Sequence, residues 1–197
     1  MLLPICKFGH PVLRQKGAIV TSFDDDLARL AADMLETMHA ARGIGLAAQQ
    51  IGRALQFFVI DLKTGNDSAI EFSFTFDGKN IPLEALMPLA IANAELEILP
   101  DDEWLASEGC LSFPKLNGRI ARREKVRLRY QDLQGKWREI VCNGLFARCI
   151  QHEFDHCQGI LFIDRMEKAD LLKIQTKVKQ LKRETQARLR EFGAPKA

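Results

Sequence analysis

Leu27, Leu30, Ala31, Met34, Leu35 and Met38 recur at the three- and four-residue intervals of one helical face, and the spacing predicts a helix from Asp24 to Arg42. Thr21 or Ser22 is placed to cap it, and Asp24, Asp25 and Asp26 suit the positive end of its dipole. The first twenty residues carry no such pattern and are broken by Pro4, Gly9, Pro11 and Gly17. Phe57 to Asp61 reads as a buried strand. Between Glu71 and Phe76, three phenylalanines (72, 74 and 76) alternate with smaller or polar residues, as in a half-buried strand before the Asp77-Gly78 turn. Ile91 to Leu99 alternates more weakly and reads as another strand. Val126, Leu128 and Tyr130 alternate with Arg127, Arg129 and Gln131, and a turn at Leu133–Lys136 leads to a partner strand, Trp137 to Cys142.

Asn143 is suited to N-capping and Gly159 to stopping a helix, and the segment between them is apolar on nearly every side. That predicts a central, buried helix. From Glu167 to Phe192 a long helix is expected, with Leu171, Ile174, Val178, Leu181, Leu189 and Phe192 as its apolar stripe. The predicted fold is α+β: short, mainly antiparallel strands wrapped around the central helix, with the long C-terminal helix outside. No internal repeat or long linker divides the chain, so residues 1–197 read as a single domain.

Composition changes this picture little. A hydrophobic fraction of 47% and a charged fraction of 27% are ordinary for a globular protein. No apolar run approaches the ~18 residues of a membrane span, and the N-terminus lacks the pattern of a secretory signal. Five cysteines without a regular framework argue against a disulfide scaffold and for a reducing cytoplasm, where a thiol can serve as a metal ligand. The net charge of +2 is unevenly spread: from Met166 onward nine basic residues face four acidic ones. That basic helix reads as a solvated face over an apolar stripe. Neither a membrane nor a DNA partner is expected.

The chemistry is concentrated in Gln151-His152-Glu153-Phe154-Asp155-His156. Two histidines four residues apart lie one turn apart on the same helix face and can reach one metal ion. Glu153 projects beside them, where a carboxylate can take a proton from a metal-activated water. A third ligand is needed. One protease pattern, H-E-x-x-H-x-x-G-x-x-H, matches through Gly159 but ends on Phe162, which binds no metal. His10 and His39 stand in no motif, and Glu167 and Glu184 read as solvated. Cys110, in the bent and largely small Glu108-Gly109-Cys110-Leu111-Ser112 segment, is the better candidate. Cys6, Cys142, Cys149 and Cys157 read as small buried hydrophobes.

Three ordered motifs give the sequence a family resemblance: Gly-Ile-Gly-Leu-Ala-Ala-Gln-Gln (43–50), Glu-Gly-Cys-Leu-Ser (108–112) and Gln-His-Glu-Phe-Asp-His (151–156). The chain resembles the peptide deformylases over nearly its whole length. The resemblance implies removal of the formyl group from the N-terminal formyl-methionine of nascent polypeptides, with release of formate. It implies Cys110, His152 and His156 as metal ligands with water or hydroxide in the fourth position, that water as the nucleophile, and Glu153 as general base and acid. Gln50 and the Leu111 N–H would form the oxyanion hole, and Ile44 and Gly45 would bind the peptide backbone. Leu145 and Cys149 would line the methionine pocket. One divalent ion per chain is implied, Fe(2+) in the cell, with Zn(2+), Ni(2+) or Co(2+) able to replace it. Arg148 is a candidate for guiding the peptide, Glu108 for pairing with Arg122, and Asp155 for orienting a ligand or capping nearby groups. The sequence departs from the family pattern in a longer stretch from Thr64 to Pro88, in Ala92-Asn93-Ala94 where Ile-Asn-Pro is usual, and in Cys157 where leucine is common. The rival readings are a metalloendopeptidase, and a non-catalytic protein with a structural metal site or a ribosome-binding role.

Overall fold

The computed structural model describes residues 1–64 and 72–192. Glu71, the expected start of the phenylalanine strand, lies outside them, as does the Phe192 side chain. After a short 3-10 turn at Pro11–Arg14, helix α1 runs Asp25–Ala40. Strands β1 (Gly45–Ala47), β2 (Phe57–Ile60) and β3 (Phe74–Phe76) follow, then a short helix α2 (Leu83–Leu86). Strands β4 (Leu89–Ile98), β5 (Glu103–Gly109), β6 (Asn117–Arg123), β7 (Lys125–Gln131) and β8 (Trp137–Asn143) come next. Helices α3 (Gly144–Cys157), α4 (Phe162–Arg165) and α5 (Lys168–Phe192) complete the order.

All strand pairs are antiparallel, in a six-stranded sheet ordered β1-β2-β4-β7-β8-β3 and a separate β5-β6 hairpin. Helix α3 packs against strands of both: β1, β2, β4, β7 and β8 of the large sheet and β6 of the hairpin. The all-round apolar pattern is the cause, since Phe146, Ala147 and Ile150 are fully buried within a helix whose polar residues are also largely enclosed. The fold is therefore α+β around a central helix, as the pattern predicts.

Local differences have identifiable causes. Helix α1 is capped by Asp24 rather than by Thr21 or Ser22. The Asp24 carboxylate, a stronger acceptor than a hydroxyl, takes the Asp26 and Leu27 N–H groups at 3.0 and 3.1 Å, while the Ser22 hydroxyl donates to Asp24. The helix stops at Ala40, and Arg42 turns into the left-handed region with φ 56°. Asn143 makes no capping bond. Its Oδ1 accepts from the Ser73 N–H at 2.6 Å, tying β3 to the start of α3. Gly159 does end α3, in the left-handed conformation at φ 73° with its N–H on the His156 carbonyl.

The departure at Ala92-Asn93-Ala94 is a β-bulge. Asn93 sits at φ 52°, between the β4 residues that pair with β7, and its side chain bonds both backbone groups of Val20 at 2.8 Å. The β5-β6 hairpin has no counterpart in the apolar pattern. Its inward positions include Glu108 and Arg122, both buried, where alternation would call for apolar residues.

Candidate active site

Helix α3 places His152 and His156 one turn apart, with ring centroids 5.1 Å from each other. Cys110 arrives from the end of β5, at the start of a turn closed by the Phe113 N–H on the Cys110 carbonyl (2.8 Å). Its Sγ lies 3.3 Å from His156 Nε2, and the three potential ligand atoms all fall within 4.8 Å of one another. The other thiols do not compete. Burial pushes Cys149 and Cys142 well up and Cys157 up to about 12, so they stay protonated among apolar neighbours. His10 accepts the Val12 N–H through Nδ1, and His39 pairs with Asp61 at 3.1 Å, so both have structural partners elsewhere.

The Nδ1–H of His152 donates to Glu108 Oε2 at 2.9 Å, which leaves Nε2 for a metal. Glu108 is the hub of a buried network. Arg122 donates to it from Nε (2.9 Å) and Nη2 (3.0 Å), and Arg148 from Nη1 (2.6 Å). Arg122 reaches on to Asp155 (2.5 Å), which also accepts from Arg165 (2.6 Å). Burial pushes the Glu108 carboxyl up, but the hydrogen bonds from His152 and Arg122 and the Arg122 charge outweigh it and hold it well below the usual carboxylate range. The Glu108–Arg122 pair is thus present. Asp155 anchors arginines.

Arg148 is not free to guide a peptide. Its guanidinium is buried, committed to Glu108 and to the carbonyls of Ile120 and Trp104, and stacked over the Trp104 ring at 4.5 Å. Sequence reasoning missed Arg148 and Arg165 as parts of this network; an arginine at an apolar helix position was the available signal.

Glu153 is 3% exposed, and among the described residues its Oε2 has no hydrogen-bond partner. Burial, with the Glu108 charge adding to it, raises its carboxyl to about 7, against a partial pull down by His152 and Arg122. Gln50 lies on the 3-10 turn Ala48–Ile51 directly after β1. Its Oε1 accepts the Ala47 N–H at 2.9 Å, which turns Nε2 toward Cys110 Sγ (3.5 Å) and Ser112 Oγ (3.3 Å). Ile44, Gly45, Gln50, Leu111, Leu145 and Cys149 line one cleft of about 600 Å³ together with Cys110, His152 and Glu153. His156 is buried and forms no part of the wall.

Residues 2–171 match the model of the polypeptide deformylase family. The chain belongs to that family. A peptide deformylase of Opitutus terrae is 49% identical over 190 residues, 95% of this chain and 96% of the relative. Among solved structures, a peptide deformylase of Synechococcus elongatus in complex with actinonin is 37% identical, with a TM-score of 0.75 over 90% of this chain and 86% of that one. The Plasmodium falciparum peptide deformylase is 31% identical, with a TM-score of 0.80 over 93% and 97%. Polypeptide deformylases are metal-dependent hydrolases acting on formylated N-termini, so the chain is an enzyme of that class.

The donor set fits such a metal. A thiol and two imidazoles converge, one imidazole is fixed by a carboxylate, and a buried carboxylate stands alongside with an oxygen unpaired within the described protein. Sulfur and nitrogen donors suit iron, zinc, nickel or cobalt rather than magnesium or calcium.

Proposed function

We propose that this enzyme hydrolyses the formyl amide of an N-terminal formyl-methionine on nascent polypeptides, yielding formate and the free amine, with residues 1–197 acting as one catalytic domain. The observation that carries the reading is the cluster of Cys110, His152 and His156, of which Cys110 and His152 line one cleft with Glu153, Gln50 and Leu111. A divalent cation held by Cys110, His152 and His156, Fe(2+) in the cell, would supply Lewis acidity and lower the pKa of the attacking water.

The protein's own groups account for the remaining steps. Glu153 accepts the proton of the attacking water and later delivers it to the departing amine; a carboxyl raised toward neutrality suits both roles. Negative charge growing on the former carbonyl oxygen is met by the Gln50 Nε2 amide and the Leu111 N–H. The Ala47 N–H holds the Gln50 amide in that orientation. Strand β1 is an edge of the sheet, so a substrate backbone can add beside Ile44 and Gly45 as a further strand. Cys149 and Leu145 stand one and two turns before His152, and present an apolar wall to the methionine thioether.

Three donors from the described residues match a catalytic site with an open position, whereas a structural site closes with four. The five free thiols agree with a reducing cytoplasm. No described helix is long and apolar enough to cross a membrane. Helix α5 carries the basic excess on exposed positions, which suits electrostatic docking to ribosomal RNA and makes that docking salt-sensitive.

The test is to incubate the purified protein with a formyl-Met-Ala-Ser peptide and its unformylated twin. Equimolar formate and free amine from the first, with no internal cleavage of the second, supports deformylation. Internal cleavage without formate would favour an endopeptidase.

A further inference from the structure

The two proposed oxyanion donors stand on different pieces of the fold. Gln50 follows β1 of the six-stranded sheet, and Leu111 follows β5 of the separate hairpin. Among the described residues no strand pairing links those pieces directly. Residues 6–8 do. The Cys6 N–H donates to the Gln50 carbonyl at 2.7 Å, and the Phe8 N–H to the Ser112 carbonyl at 2.9 Å. Between them the Lys7 ammonium donates to the Leu111 carbonyl at 2.8 Å. Phe8 also stacks on Phe113 of the same turn, with centroids 4.8 Å apart. Lys7 is half-buried and lines the cleft with Gln50 and Cys110.

We propose that Lys7 is a positioning residue for deformylation, holding the Leu111 turn so that its N–H faces the reacting carbonyl. This rests on the reading of Gln50 and Leu111 as the oxyanion hole. The Leu111 carbonyl belongs to the central peptide of the Cys110–Phe113 turn, whose closing bond runs between its end residues. The Leu111 N–H belongs to the preceding peptide, joined to the central one at the Leu111 Cα, so with only that bond a rotation of the central peptide about this carbon loosens the frame that aims the N–H. A charge-assisted bond from an ammonium is shorter and about twice as strong as a neutral one, and it fixes that peptide. The same positive charge lies along the cleft in which negative charge develops. Lysine is seldom withdrawn from water without a partner, and here the partner is this carbonyl. The backbone bonds of Cys6 and Phe8, and the Phe8–Phe113 stack, do not depend on the Lys7 side chain. Its removal therefore isolates the ammonium.

The experiment uses metal-loaded enzyme with metal content measured for each variant, and a formyl-Met-Ala peptide as substrate. Lys7→Met is expected to lower kcat about tenfold with KM within about twofold, less than the ~100-fold of deleting a donor outright. Lys7→Arg should recover most of the loss. A double-mutant cycle with Gln50→Ala supplies the readout that a merely structural role would not move: two groups serving one oxyanion should give a combined loss smaller than the product of the single losses. Multiplying losses, a change confined to KM, or unchanged kcat in Lys7→Met would overturn the role of Lys7 and leave the oxyanion hole standing. Parental kcat in Gln50→Ala would bring down the oxyanion reading, and the role of Lys7 with it.

Discussion

Gly45 lies against Glu153 so closely that no methyl group fits between them: a Cβ on Gly45 would stand 2.4 Å from Glu153 Oε1 and 2.8 Å from its Cδ. The glycine of the first motif is therefore set by the carboxylate of the third, across more than a hundred residues of sequence. Glu153 is buried on a packed helix and cannot swing into solvent. Gly45→Ala should displace the carboxylate by about 1 Å and lower kcat/KM on the order of 100-fold, while the protein remains folded and binds metal. Steady-state kinetics with metal analysis checks this. Parental activity in Gly45→Ala would mean that the carboxylate position is not critical.

Glu108 offers a second test, because one carboxylate orients His152 and neutralises two buried arginines. Glu108→Gln should weaken metal affinity 10- to 100-fold through the loss of His152 orientation. It should also destabilise the fold by about 3–5 kcal/mol, because Arg122 and Arg148 stay buried with less compensating charge. Since the folded-state carboxyl is held below its ordinary range, its contribution to stability is present above about pH 4.5 and lost as pH falls below that. Denaturant midpoints from pH 3 to 7 should show the parent's advantage over the variant shrinking toward the acid end.

Helices α1, α3 and α5, strands β2, β3, β4, β7 and β8 and the three motifs were legible because each follows a rule that acts locally. Apolar spacing marks α1, α3 and α5, and ligand spacing marks His152 and His156. The β5-β6 hairpin escaped that reading because its buried face is built from Glu108, Arg122 and Ile120 rather than from an apolar row. Its charges are tolerated only because partners from α3 complete them, and such pairing is visible in three dimensions alone. Lys7 went unnoticed for a related reason: a single lysine in an irregular N-terminal segment has no pattern, and its partner is a backbone carbonyl 104 residues away.

Glu153 also makes stability depend on pH when metal is absent. Its carboxyl is raised by burial to about 7, so ionising it costs the folded state: the protein is least affected below about pH 4.5 and loses stability as pH rises through 7. Metal-free Glu153→Gln should then be more stable than metal-free parent at pH 8, on the order of 3 kcal/mol, with the gain vanishing near pH 4. A bound cation favours the carboxylate, so the acid limb of kcat/KM in the loaded enzyme should fall at or below about pH 7. An acid limb well above 7 would assign it to another group.

The most direct measurement is formate release from a formyl-Met-Ala peptide by parent and Glu153→Ala, both purified without oxygen, with metal determined on the same samples. Deformylation at this site predicts one metal per chain in both proteins, with turnover in the parent and at least a ~100-fold loss in the variant. Equal formate release by the two proteins, or no release by fully loaded parent, would contradict it.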